Sequence, residues 1–531
     1  MPCIAAEKAR LSISLALCDD RAFRQGGTVA VRLLARIGHE LPPNCTVGTK
    51  GRESRGRERA LSMLPATSIQ DARSSERCDA AKSRASLGDW FPWSLTLAYA
   101  LVLSVLGAIR YSVHRNFVDF GIFMQTSASA FGCFCNQIEG SHWAFHFSPI
   151  LYAVGAVLRF WHSPLVLVVV QAIAGGLTLP AVYGLVARHS DRTIARLATA
   201  VVALYPALLG LTFNDFHENG FAPAAVAWTL WAFDGGLIGA TCLFAAITLC
   251  IKKDQGIFLA VAGALGAWRL RGTPLGRLAG GIALASVAVL FVFFVIIQPH
   301  AAHSATWSPV RFYAWGRSDF QRLIYRGIFT RLGFFVLAFT PLMFLPFRSK
   351  MMWLAVPALA EVLVSRMSTT YTLGTHYAGA WIGYVVVAFA FAVRGRPHAT
   401  VKRLLYACLV FCAIELAVAD PLHPGMNLRY VQPRDTALDR ALLWLPPHAS
   451  VATQEEAYTH LALTDPNARL LPERAGIVPD ACYVLIDRAY PASVILLEYG
   501  TAFHALVKNG TYRLVRRDGK LALYHRVGAC K

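Results

Sequence analysis

From residue 92 onward the chain alternates apolar stretches with short polar breaks. The apolar stretches run roughly 16 to 22 residues, near the ~20 that a helix needs to cross ~30 Å of hydrocarbon. In order they cover about residues 92–110, 164–187, 195–212, 220–234, 237–251, 256–270, 278–297, 328–346, 351–366, 378–393 and 403–420. The pattern predicts a polytopic helical membrane protein of about eleven spans. Its short links carry Arg188, Arg192 and Arg196, then Arg269, Arg271 and Arg277, then Arg348 and Lys350, then Arg394, Arg396, Lys402 and Arg403, always on alternate sides of successive spans. The positive-inside rule makes that side, and the N-terminus with it, cytoplasmic. An odd span count then places the segment after residue 420 outside; an even count would return it to the cytoplasm.

Two regions break the pattern. Residues 1–88 are rich in Arg, Ser and Ala, contain GRESRGRERA and show no sustained apolar period, so a disordered basic N-terminal region is expected there. It lacks the apolar core and small-residue cleavage site of a secretory signal. Residues 421–531 read as a small α/β domain. ACYVLID (481–487) and Ser450 to Ala452 suggest strands, Ala437 to Leu445 a short amphipathic helix, and TYRLVRRDGKLALYHRV (511–527) a hairpin turning at Asp518-Gly519. No nucleophile or metal spacing stands out in it, and an accessory role is expected. The multi-spanning domain lies between, at 89–420, with a first outer loop at 111–163.

Composition agrees with a membrane chain: of 531 residues 55% are hydrophobic and 15% charged, which excludes an ordinary soluble protein of several domains. No nucleic-acid partner is expected; membrane lipid is. Outer cysteines Cys133, Cys135, Cys482 and Cys530 would meet an oxidising compartment, and a Cys482–Cys530 disulfide is one expectation.

Candidate chemistry gathers on the expected outer face. The segment from Val118 to Tyr152 reads as one polar-aromatic loop and carries Asp119 and His146; later outer links carry Asp215, His217 and Glu218, then Lys252, Lys253 and Asp254, then the arginine run from Arg311 through Arg317 to Arg326, then His376 and Tyr377. A charge at the bilayer centre costs about 2.5 to 3.5 kcal/mol on insertion scales, so several retained near one boundary point to use. Carboxylates and imidazoles behind a cationic rim suit transfer of a group from a phosphate leaving group. Cations (Lys252, Lys253, Arg311, Arg317) hold the phosphate, and a carboxylate deprotonates the acceptor hydroxyl or holds a divalent metal. The apolar segment 146–161 begins and ends on the outer side and is expected to lie along the interface, with Arg159 reaching the headgroups.

The ordered motifs FV-Asp119-FGIFMQ, His146-FSPILY, N-Asp215-F-His217-E, Lys252-K-Asp254 and T-His376-Y, followed by LPPHASVAT and YVLID, resemble the bacterial membrane family known as domain of unknown function 2079. That family is similar to the C-superfamily (GT-C) glycosyltransferases, multi-spanning enzymes that take sugars from polyprenyl-phosphate carriers. The resemblance implies a GT-C-like fold, a polyprenyl-phosphate-linked sugar as partner, a bacterial inner-membrane location, and Asp119 as the catalytic or metal-binding acid. Three positions depart from the family pattern: Met124 where an acid is common, Glu218 where proline is common and Lys253 where Glu is common.

Plainer readings stand beside these. Asp119 pairs with Arg110 or Arg115; His146 serves a backbone hydrogen bond; the lysines and arginines rest on lipid headgroups. Transport of a lipid-linked or small solute, or a non-catalytic scaffold, are the competing functions.

Overall fold

A computed structural model describes residues 88–302, 310–313, 316–323, 327–419, 421–423, 427–471, 481–488 and 503–528. Residues 1–87, Arg326 and Cys530, and with them the expected disordered region and the Cys482–Cys530 bond, lie outside these.

Each apolar stretch has a helical counterpart, but only some are long spans. Four helices are long and apolar enough to cross a membrane: Trp90–Ser112, Leu165–Ala187, Pro274–Ala301 and His376–Val393. Arg192–Ala203 with Pro206–Phe213 makes a fifth if the pair is taken as one span bent by 49°. Pro206 sits at the first turn of its second half, where a missing N–H costs least. The other stretches appear as shorter or broken helices, among them Ala222–Asp234, Ile238–Leu249, Lys253–Arg269, Ile328–Phe339, Val356–Val364 and the polar-ended His398–Val418. The span count of about eleven therefore stays an expectation, whereas a multi-pass helical membrane protein is what the fold shows.

The main core lies where these helices meet, around the fully buried Trp381, Tyr183, Tyr205 and Tyr384. A second apolar cluster, with Phe120, Phe123, Met124, Leu151, Val154 and Leu158, packs beside it. It corrects the reading of 118–152 as one loop: Val118–Ala128 is a helix, and every residue from Phe120 to Ser127 is buried. Burial on all sides leaves no 3.6-residue polar stripe to read. The segment expected to lie along the interface is helical over Ile150–Phe160 and buries Leu151, Val154, Gly155 and Leu158. Its Arg159 lies over the Phe131 ring at 4.3 Å, so the cation has an aromatic partner within the protein.

Strands β1 (Cys135–Asn136) and β2 (Gly140–Ser141) form a small hairpin in the first outer segment, with Cys133 and Cys135 disulfide-bonded. The C-terminal part holds a five-stranded mixed sheet of β3 (Val451–Thr453), β4 (Ala468–Leu470), β5 (Tyr483–Asp487), β6 (Tyr512–Asp518) and β7 (Leu521–Arg526), in the order β4-β3-β5-β7-β6. β4 and β5 run parallel to β3; β7 runs antiparallel to β5 and β6. The hairpin turns at the expected Asp518-Gly519, where Gly519 supplies a positive φ. The helix expected at 437–445 starts earlier, at Pro433–Leu442, because Pro433 opens it and Asp435 accepts the Gln432 N–H. The sheet domain docks directly on the Val118–Ala128 helix. Tyr458 donates to Gln125 Oε1 at 2.9 Å, and Gln125 Nε2 donates to the Ala468 carbonyl at 3.0 Å.

Candidate functional site

The site is assembled by a buried ion pair at its base. Arg110, near the end of the first span, is 2% exposed and holds Asp215, 4% exposed, at 3.0 Å. Asp215 also accepts from Asn116 Nδ2 at 2.8 Å and from the Phe117 N–H at 2.7 Å. Phe117 is the N-cap residue of the Val118–Ala128 helix and has no capping side chain, so Asp215 ties that helix start from outside. Gln171 secures the other side of the turn: its Nε2 donates to the Asn214 carbonyl at 2.9 Å and its Oε1 accepts the His217 N–H at 2.9 Å. Sequence reasoning placed Asp215 among the catalytic acids. The structure spends its carboxylate on Arg110, Asn116 and Phe117, and Arg110, expected as a partner for Asp119, is taken by Asp215.

Asp119 is thereby presented from the first turn of its helix. Its Oδ2 lies 3.4 Å from His376 Nδ1, and 36% of its side-chain surface stays open. The His376 ring stacks on His217 at 3.9 Å and 7°, and Tyr377 lies against His376 with ring centres 4.1 Å apart. His217 Nδ1 sits 2.8 Å from Glu218, whose other oxygen is 3.5 Å from Lys252 Nζ; Lys252 is 3.8 Å from Asp254. Four separate segments thus meet in one recess. Burial, then the charges of Asp215, Glu139 and Glu218, push the Asp119 carboxyl up to about 7. Burial would also raise Glu218, but His217 and Lys252 outweigh it and hold Glu218 well below the usual carboxylate range.

A second polar knot adjoins the recess. Glu139 faces His142 Nδ1 at 3.3 Å and His146 Nε2 at 3.6 Å, and accepts from Asn136 Nδ2 at 3.0 Å. Lys253 donates to the Phe145 carbonyl at 2.8 Å and lies 3.3 Å from His146 Nδ1. Burial and the Lys253 charge lower His146 to about 4. Lys252 and Lys253 are 6% and 2% exposed, so they sit inside the protein and not on an exposed outer rim. Glu139 and His142 went unnoticed in the sequence, although Glu139 is the lone acid between Asp119 and Asp191.

Cations that do face open space lie further on. A cavity of about 890 Å³ is lined by Ser318, Asp319, Arg322, Arg331, Arg366 and Tyr371, among others. Arg366 is 3.7 Å from Asp319, and Arg331 lies over the Tyr371 ring at 4.2 Å. Tyr371 ends the short turn Ser368–Tyr371, which packs on the turn His376–Ala378. Arg311 and Arg317 fall in the short helices Val310–Tyr313 and Arg317–Arg322; their side chains lie outside the described part. Met124 is fully buried in its apolar cluster. It stands about 140° around the helix from Asp119, so an acid at 124 would enter the core.

A multi-pass helical membrane protein with a polar recess at the ends of its helices is the class these features define. A family profile described as "Predicted membrane protein (DUF2079)" matches residues 111–493. The chain belongs to that family. No curated protein matches it. Among solved structures, ArnT from Cupriavidus metallidurans bound to undecaprenyl phosphate aligns at 12% identity over 82% of this chain and 98% of that one, with a TM-score of 0.48. The Archaeoglobus fulgidus oligosaccharyltransferase tethered with an acceptor peptide aligns at 12% identity over 84% and 75%, with a TM-score of 0.39.

Proposed function

We propose that the protein transfers a sugar from a polyprenyl-phosphate carrier to an acceptor hydroxyl at the outer face of the bacterial inner membrane. The observation that carries this reading is Asp119, a partly open carboxylate with a pKa near 7, facing His376 in a recess where Asp215, Glu218 and Asp254 each have a cation beside them. A base of that strength works well at neutral pH. In this reading Asp119 takes the proton of the acceptor hydroxyl as its oxygen forms a bond to the anomeric carbon, and the bond from that carbon to the carrier phosphate breaks. Arg322 and Arg366 in the adjoining cavity hold the departing phosphate. His376 and the stacked His217 orient the carboxylate.

Two further features support it. The polar groups gather at helix ends, as at the starts of His376–Val393 and Lys253–Arg269, which is where a hydrophilic substrate can meet them. The Cys133–Cys135 disulfide beside the recess favours an oxidising, outer location. The motif order resembles the domain of unknown function 2079 family, which is itself similar to the GT-C enzymes. Among the described residues no third ligating group joins Asp119 and His376, so no step is routed through a metal.

The test is reconstitution of the purified protein with a panel of labelled polyprenyl-phosphate sugars. Release of sugar by the wild type and its loss in Asp119→Asn, at normal folding and abundance, is the expected result. Undiminished release in the variant, or none from any donor by folded wild type, would overturn the proposal.

A further inference from the structure

Away from the recess, three side chains converge where the C-terminal domain meets the end of the first span. His114 follows the Trp90–Ser112 helix, Asp439 lies on the Pro433–Leu442 helix and His460 on Glu455–Leu461. One ligating atom from each lies within 4.8 Å of the others. His114 Nε2 is 3.0 Å from Asp439 Oδ1, and the two imidazole rings lie 3.9 Å apart. His114 is fully buried and its backbone is left-handed, with φ 55°. Such a conformation is costly for a non-glycine residue and is kept where the surroundings need the side chain in one place.

The residues around the cluster hold its rings in place. His460 Nε2 is 3.1 Å from the Tyr111 carbonyl, which assigns the ring proton to that nitrogen and leaves Nδ1 as a lone-pair donor. The Tyr111 ring stacks on His460 at 4.0 Å and fixes its plane. Arg429 clamps the buried Asp435 and donates to the Val113 carbonyl at 3.2 Å, holding the His114 turn against the domain. Asp439, 54% exposed, leaves the cluster open to solvent on one side.

We infer that His114, Asp439 and His460 form a binding site for a divalent transition-metal ion, zinc foremost, which fastens the C-terminal domain to the end of the first span. Two imidazoles and one carboxylate match the borderline ligands zinc prefers, whereas calcium and magnesium take oxygen shells. Tetrahedral zinc needs ligand atoms about 3.3 Å apart, given bonds of about 2.0 to 2.1 Å. His114 and Asp439 already stand at 3.0 Å, all three ligating atoms lie within 4.8 Å, and a closure of under about 2 Å, with solvent supplying the remaining ligand, completes the shell. The ion would stiffen the short link between His114 and Asp119, and the site stands whatever reaction the recess performs.

The test uses the full-length protein in detergent, stripped with a chelator and titrated with zinc and with cobalt(II). Bound metal is counted by mass spectrometry and cobalt coordination is read from its visible absorption. One equivalent is expected, with affinity falling by about 10- to 100-fold or more in Asp439→Asn and in His460→Gln. Asp439→Asn changes a half-exposed residue, and an unaltered metal-free melting point confirms that it folds. Absence of stoichiometric binding, the behaviour of a plain His–Asp hydrogen bond, would overturn the assignment; so would binding that both variants leave unchanged.

Discussion

Asp215 and Asp119 lie in neighbouring segments of one recess, and the structure gives them opposite duties. In Asp215→Ala the Arg110 guanidinium, 2% exposed, loses the carboxylate 3.0 Å away. It keeps hydrogen bonds to the Phe213 and Arg115 carbonyls, but its charge is uncompensated. Breaking a buried pair by removing one partner costs about 3–5 kcal/mol. The Asn116 amide and Phe117 N–H lose their acceptor too, at about 1–3 kcal/mol each where no water replaces it, and these contributions overlap because all three converge on one carboxylate. The Asp215→Ala protein should therefore melt lower by on the order of 5 °C. Asp119→Asn removes a charge that its surroundings already disfavour, so its melting point should equal or exceed that of wild type. Both are read by thermal unfolding in detergent, followed by tryptophan fluorescence, with sugar release measured in parallel. A stable Asp215→Ala protein without activity would refute the division of roles; so would an Asp119→Asn protein destabilised as strongly as Asp215→Ala.

Further outcomes follow from the same geometry. Release should rise with pH to a half-maximum near 7 as Asp119 loses its proton, and a profile flat between about pH 5 and 8 would exclude Asp119 as the base. Because the folded chain holds that proton more tightly than the unfolded one, its stabilising contribution is full below about pH 4 and is lost as pH rises through 7, which melting points against pH will show in wild type and not in Asp119→Asn. Lys252→Met leaves the fully buried Glu218 with His217 alone and should destabilise by about 3–5 kcal/mol, with Glu218→Gln in the same chain restoring part of the loss; additive effects in that cycle would mean the two are uncoupled. A Cβ at Gly121 would sit 2.2 Å from the Tyr458 ring, so Gly121→Ala should cost about 1–3 kcal/mol and loosen the C-terminal domain, seen as faster proteolysis after residue 420.

The apolar stretches were legible because hydrocarbon demands a long run of apolar side chains wherever a helix crosses it, and composition alone carries that demand. Strands such as Tyr483–Asp487 and the Asp518-Gly519 turn were legible for a similarly local reason: β-branched and aromatic runs punctuated by a glycine that tolerates positive φ. The Val118–Ala128 helix was not, since a helix buried on every side has no polar face to mark its period. The expectation of Asp119, His146, Asp215, His217, Glu218, Lys252 and His376 on one face rested on the alternation of about eleven spans; in the structure Asp119, His217, Glu218, Lys252 and His376 meet through direct contacts between their segments.

Which of those residues holds the structure and which is left free for chemistry was decided by packing. Asp215 and Asp119 look alike in sequence, each an acid beside an aromatic residue at a helix end. Arg110 comes within 3.0 Å of the first because the end of the first span meets the turn that Gln171 holds in place. Burial likewise turned Lys252 and Lys253 from surface cations into internal counter-charges, and brought His114 against Asp439 and His460 from the far end of the chain. Charge and polarity are written residue by residue, but a pairing depends on distance and on the exclusion of water, and both exist only once remote segments have closed on one another.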